Sequence, residues 1–466
     1  MTSRVHRAAA AATAALVLGA CQSVASRHDD VVDATQAELA SRVGDARFDP
    51  AAEVRSLLQD GLTEDEAVRI ALANNGAVRA AFARLGIATA ELVQAGLLRN
   101  PVFSAQGAFV FTGGTEWEIN LTQPFVDLFF RPLRERVAER ELAAAQALVL
   151  AELVQLCAEV RRAFVQVRAS QQLVELQQQA VAAATASHEL MQRLHGAGNV
   201  TDPQRTAERL GEARARLELA AAERAVREAR EPLNALLGVF GGDVGWRVDG
   251  RLEPGALDGL ELDDVEARAV AQSLVLRGQR ARIEAAAQSA ELQRWPWLAD
   301  DTFGLAALRE PGGDWGLGPA LSVELPLFDQ GDATRHKALA VVEQRLHEHA
   351  QTAVEVRSAA RLLHTRAAFL AERAAFLRDE YLPSTSRLVR ETVQNYNAMQ
   401  IGAFEVLQQK QQQLTAARDY LDTLRELWLV RIDLDELLAG AVPAAAQQPF
   451  WPGGGDAAAG RRRVHG

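Results

Sequence analysis

The sequence predicts a mainly α-helical chain that carries four membrane strands. Three observations support this: a unit of short helix, β-hairpin, long helix, turn and short helix occurs twice; heptad seams run through both long helices; and the hairpin strands alternate apolar and polar residues. Its 466 residues would ordinarily suggest several domains, but a long internal repeat implies one pseudo-symmetric assembly.

Composition narrows the function. Formal net charge is −11, with 48% hydrophobic and 24% charged residues, so bulk positive charge for nucleic acid is absent. Two cysteines, Cys21 and Cys157, supply neither a disulfide framework nor a cysteine-rich zinc site. Aromatic residues make up only 6%, which leans away from an enzyme with an aromatic-lined pocket. No phosphate loop, zinc-peptidase helix or serine nucleophile elbow occurs. The nine histidines are scattered, and His347 and His349 point to different helix faces. The chain is expected to be no enzyme and to hold no cofactor or resident metal.

The N-terminus reads as an export signal. Arg4 and Arg7 precede an apolar run, Ala8 to Ala20, too short to span a bilayer, which takes about 20 helical residues. Residues 1–20 are therefore a signal peptide. The run ends in Leu18-Gly19-Ala20-Cys21, like a bacterial lipobox, making Cys21 the expected lipid-attachment residue of a segment 21–61. By the sorting behaviour of bacterial lipoproteins, Gln22 after it favours the outer membrane. No other segment holds 18 uninterrupted apolar residues, so membrane insertion is expected to use strands.

The repeats are expected at 62–238 and 262–440, joined by glycine-rich 239–261 and followed by a disordered tail, 441–466. Thr63 and Glu66 form a capping box that opens a helix to about Leu98; Asp264-Val265-Glu266 opens its counterpart, to about Arg294. Hairpin strands follow at about 102–124 and 302–326. Long helices follow these, Pro132 to Leu194 and Thr334 to Tyr396, each ending in a turn, 196–202 or 397–402, before a returning helix. A helix of ~63 residues is about 95 Å long, matching two short helices of about 54 Å end to end.

The seam in the second copy runs through Leu339, Val342, Leu346, His349, Ala353, Val356, Ala360, Leu363, Ala367, Leu370, Ala374, Leu377 and Tyr381. The first copy has Leu142, Ala145, Val149, Leu153, Leu156, Val160, Ala163 and Val167, with Cys157 beside them as inert packing. In the first hairpin Phe103, Ala105, Gly107, Phe109, Trp117, Ile119 and Leu121 oppose Glu116, Glu118, Asn120 and Thr122; in the second, Leu321 and Leu325 oppose Ser322 and Glu324. Such runs suit tilted membrane strands of about 9 to 11 residues. Four strands cannot close a barrel, which takes about eight, so several chains must combine. Glu116, Glu118, Asn120, Ser322 and Glu324 become the expected lumen-facing polar residues.

The chain resembles the TolC-like outer membrane efflux proteins, from Leu62 to Gly440. The resemblance is carried by Glu66-Ala67-Val68-Arg69-Ile70-Ala71-Leu72 and Val265-Glu266-Ala267, by Gln123-Pro124-Phe125 and Leu325-Pro326-Leu327-Phe328, and by the turns around Gly198 and Gly402. It implies a homotrimer with a twelve-stranded transmembrane β-barrel, continued by a periplasmic α-helical barrel. Such a duct serves tripartite efflux pumps or type I secretion, with a periplasmic adaptor protein and an inner-membrane transporter as partners. It further implies that Gly198, Asn199, Asp202, Gly402 and Glu405 lie at the periplasmic tip, with Glu405 at the constriction and Gln408 where a second acid often stands. A coiled-coil envelope lipoprotein would share the export signal and heptads but would not need the amphipathic hairpins; an adaptor should carry one helical hairpin rather than two.

Overall fold

The computed structural model describes residues 24–44, 61–109, 114–124, 127–248, 250–257, 264–293, 301–325 and 327–444. The signal peptide, Cys21 and the tail beyond 444 lie outside the described residues. The elements are α1 (Val24–Val43), α2 (Glu64–Asn74), α3 (Gly76–Ala95), β1 (Val102–Phe109), β2 (Thr115–Pro124), α4 (Asp127–Gly196), α5 (Asp202–Leu237), α6 (Val265–Gln272), α7 (Leu274–Leu292), β3 (Thr302–Arg309), β4 (Trp315–Ser322), α8 (Asp332–Phe376), α9 (Leu382–Asn397) and α10 (Ala403–Leu438). The order α2 to α5 recurs as α6 to α10.

Several helices differ from their expected extents. The first does not run unbroken to Leu98: at Asn75 the backbone is extended, at φ −68° and ψ 128°. The Asn75 carboxamide accepts from the N–H of Ala77 at 2.8 Å and so caps α3. It also donates to Leu236 O, while Asn74 donates to Leu237 O and Gly238 O, satisfying carbonyls at the α5 C-terminus. The second copy breaks at the matching place, Ser273. The expected helix to Tyr396 is likewise interrupted, by a π-turn at Leu377–Tyr381 just before Pro383, whose missing N–H cannot continue the α ladder. Within the expected segment 21–61, α1 occupies Val24–Val43.

The chain divides into two compact units. One holds residues 24–36, Ala80–Leu150 and Leu274–Val354, and contains all four strands. They form one antiparallel sheet in the order β1-β2-β3-β4. Its helical part buries Leu85, Leu142, Ala147, Leu150, Leu274 and Ala285. Gly278 of α7 packs on α4, where an added Cβ would meet the Cβ of Ala147 at 3.4 Å, an ordinary contact. Leu339 and Leu346, expected in a buried seam, are instead about half exposed.

The other unit holds residues 37–44 and 61–79, Ala151–Ser273, and the chain from Glu355. Here the predicted seam is buried: Val356, Ala360, Leu363, Ala367, Leu370 and Ala374 pack with Leu427, Val430, Leu434 and Leu437 of α10 and with Val265 and Ala269 of α6. Fully buried leucines such as Leu363 and Leu434 each contribute about 2 kcal/mol. Between α4 and α10, Arg162 bonds Asp433 at 2.8 Å and Glu436 at 2.6 Å. Burial raises both carboxyls above their ordinary range, against the pull of Arg162. Cys157 is buried beside this layer, and burial pushes its thiol up to about 12. Arg42 of α1 donates to Gln272 O and Ala439 O, capping the C-termini of α6 and α10 together.

The segment expected to be a plain linker is packed. Leu62 and Val248 form a parallel bridge, and Trp246 is buried with its indole N–H on Asn234 at 2.8 Å. The guanidinium of Arg230 lies 3.9 Å over the Trp246 ring and donates to two backbone carbonyls, those of Val244 and Trp246. α4 contains a stretch that could cross a membrane by length and composition, although polar residues interrupt its apolar run. Just over half of that window is buried in the fold, as suits an alanine-rich packed helix.

Candidate transport surface and helical tips

Pairing in the sheet sorts every strand side chain onto one of two faces, because directly opposed residues project to the same side. One row is Phe103, Leu121, Leu305 and Pro319; the next is Ala105, Ile119, Ala307 and Leu317. Towards the hairpin turns comes the row Gly107, Trp117, Arg309 and Trp315, with Phe109 beside Thr115 beyond it, and the row nearest the helices holds Gln123, Phe303 and Leu321. This face is apolar through its middle and exposed, with Phe103, Leu121, Leu305 and Leu317 all open. Aromatic residues stand towards both ends, and Arg309 near the turns lies 5.9 Å over the Trp315 ring, the position of a headgroup-level residue.

The opposite face carries Ser104 beside Asn120, Gln106 beside Glu118, and Ala108 beside Glu116, then Thr122, Thr302 and Ser322. Elsewhere it is mostly small: Gly304, Ala306, Gly316, Gly318 and Ala320, with Val102 and Leu308 as apolar exceptions. Asn120 donates to Glu118 at 2.9 Å along this face. At Gly304 any Cβ would overlap the Leu121 carbonyl, so only glycine fits. Glu116, Glu118, Asn120 and Ser322 thus share one face. Glu324 does not belong to it, because β4 ends at Ser322 rather than near 326. The exposed Glu324 lies beyond the strand, its backbone N–H bonded to the buried Asp301 carboxylate at 3.0 Å, a side-chain bond that replaces the ladder.

Among the described residues, the outer edges of β1 and β4 have no strand beside them. Such edges leave backbone N–H and C=O groups unpaired, which a bilayer could not solvate.

The helical turns share one construction. At the first, Gly198 is left-handed with φ 77°; its N–H donates to His195 O and that of Asn199 to Leu194 O, a Schellman closure. At the second the left-handed residue is Met399, φ 58°, with Met399 bonded to Tyr396 O and Gln400 to Asn395 O. Gly402, expected as the turn glycine, has φ −85° and is the N-cap of α10. Met399 is almost fully exposed, and sequence reading missed it because only its backbone is unusual.

The N-caps also correspond. Thr201 receives Gln204, whose side-chain oxygen takes the Thr201 N–H at 2.9 Å; Gly402 receives Glu405, whose carboxylate takes the Gly402 N–H at 2.8 Å. Glu405 is exposed. Asp202 bonds Arg205 at 2.8 Å and lies 3.5 Å from His195, whose other ring nitrogen is 2.9 Å from Val200 O. Gly198, Asn199 and Asp202 therefore meet at one turn, Gly402 and Glu405 at the other. Among the described residues no group of three histidines, cysteines or acids converges on a metal position.

Residues 67–239 match the family model described as outer membrane efflux protein. Cobalt-zinc-cadmium resistance protein CzcC of Cupriavidus metallidurans is 21% identical over 309 residues, 66% of this chain and 73% of that protein. Among solved structures, CusC superposes with a TM-score of 0.68 at 15% identity, covering 84% of this chain and 97% of the other. The outer membrane channel CmeC of Campylobacter jejuni gives 0.67 at 14%, covering 81% and 86%. The likenesses to the solved structures are likenesses of fold.

Proposed function

We propose that this chain is an outer membrane efflux protein, the exit duct of a tripartite pump which passes cations out of the periplasm. It resides in the outer membrane and extends into the periplasm. The observation that carries the duct is the sheet: one face apolar, the other small and polar, both edges open.

Three copies would close a barrel of twelve strands around the face of Glu116, Glu118, Asn120 and Ser322, well above the ~8 strands that closure requires. The half-exposed Leu339 and Leu346 of α8 supply apolar surface for neighbouring copies. Cys21 anchors each copy to lipid. At the tip, three Glu405 carboxylates bring like charges towards one axis, which draws cations and repels anions. The turns at Gly198, Asn199 and Asp202 and at Gly402 are presented to a periplasmic adaptor, through which an inner-membrane transporter delivers substrate. A cationic substrate is favoured by the acidic tip and by the likeness to a relative named for cobalt, zinc and cadmium resistance.

The test is deletion of the gene in its host, with minimum inhibitory concentrations for divalent metals and for apolar drugs. Sensitisation to metals alone, restored by the full chain, is expected; sensitisation to drugs alone would replace the cation assignment.

A further inference from the structure

Just beyond the sheet, the chain places exposed apolar residues and then basic ones, and it does so in both copies. After β2, Phe129 is 74% exposed and Arg131 follows it; after β4, Leu325, Leu327 and Phe328 are open, Phe328 completely, and Arg335 and Lys337 follow. All lie within the unit that holds the strands, at the sheet's helical end. These apolar residues follow β2 and β4 in the chain, whose Leu121 and Leu321 belong to the exposed apolar face of the sheet.

The charges point the same way. Arg131, Arg335 and Lys337 stand in the opening turns of α4 and α8, where the helix dipole is already positive, so their own helices give them no electrostatic return. An anion outside the helices does. The neighbouring Asp329 is committed to the Gly331 N–H at 2.8 Å. Arg134 and Arg136 reach backbone carbonyls, of Leu97 and Pro132.

Resting on the reading of the chain as an outer membrane duct, we infer that this collar grips the phospholipid leaflet facing the periplasm. Phe129 and Phe328 enter the acyl region, and Arg131, Arg335 and Lys337 bind headgroup phosphates of anionic phospholipid. The attraction fades within a Debye length, about 10 Å at 0.1 M salt, and so weakens as salt rises.

The full-length protein is reconstituted in nanodiscs of phosphatidylcholine alone and of phosphatidylcholine with phosphatidylglycerol, and the midpoint of thermal trimer dissociation is measured. Phosphatidylglycerol should raise the midpoint of the wild type, and high salt should abolish the rise. The variant R131Q/R335Q/K337Q should lose the rise while keeping its midpoint in phosphatidylcholine; R131K/R335K should retain it. Inorganic phosphate added to phosphatidylcholine discs should not reproduce it. A rise unchanged in the glutamine variant, a rise reproduced by free phosphate, or an equal loss of trimer in both lipids would overturn the lipid assignment, the last marking a subunit contact instead. Failure of the wild type to enter discs as an oligomer would overturn the duct reading as well.

Discussion

Leu121→Arg and Asn120→Arg place the same side chain one residue apart on β2, on opposite faces. Leu121 lies in the second row from the helices, between Phe103 and Leu305, in the apolar middle of its face; Asn120 lies beside Ser104 and Ala306. Arginine near the bilayer midplane on a lipid-facing strand costs about 2 to 4 kcal/mol, so three symmetric copies would lose about 6 to 12 kcal/mol per trimer. At Asn120 the guanidinium would enter the polar face beside Glu118, at a cost of under about 1 kcal/mol. Depth matters as much as face. Leu321 has the same orientation but belongs to the row nearest the helices, so Leu321→Arg should cost less than Leu121→Arg. Trimer yield on semi-denaturing gels, with urea titration of the reconstituted protein, measures all three. If Asn120→Arg abolished trimers while Leu121→Arg left them intact, the assignment of faces would be reversed.

Four other expectations are simpler to check. Cys21→Ser should lose palmitate in metabolic labelling; equal labelling of wild type and variant would refute lipidation at that residue. Glu405→Gln should lower the preference for cations over anions in planar bilayers without changing trimer yield, and an unchanged reversal potential would leave Glu405 only its bond to Gly402. Met399→Gly should raise unfolding stability by up to about 1 kcal/mol, since the left-handed backbone costs a side chain about that much; a loss of stability would mean that the methionine side chain makes a compensating contact. Cys157, with its thiol held up to about 12, stays protonated at neutral pH and should react with maleimide only after denaturation; rapid labelling of the native protein would contradict its burial.

Periodicity made the strands and the coiled-coil positions legible, because alternation and heptads are written in side chains. Phe103 to Phe109 and Trp117 to Leu121 take the faces their parity dictates, and Val356 to Ala374 occupy a buried seam. The same heptads at Leu339 and Leu346 were misread as core, since a repeat reveals that a stripe packs but not whether its partner belongs to the same chain. Local backbone events were harder to read. Asn75 ends a helix inside a good helical pattern by offering its carboxamide to Ala77 and Leu236, and Met399 takes a left-handed conformation where Gly402 looked the better residue. Of the candidate residues, Glu116, Glu118, Asn120 and Ser322 share the one sheet face that their alternation predicts. Glu324 was misplaced because the strand pattern continues in sequence past the point where Asp301 takes over the backbone hydrogen bond.

Electron microscopy of the full-length protein in lipid nanodiscs addresses the account most directly. The expected particle has threefold symmetry and is hollow, with β4 of each copy paired to β1 of the next and Glu116, Glu118 and Asn120 lining the lumen. A monomeric particle, or an oligomer whose four-stranded sheets pack against helices without enclosing a channel, would contradict it.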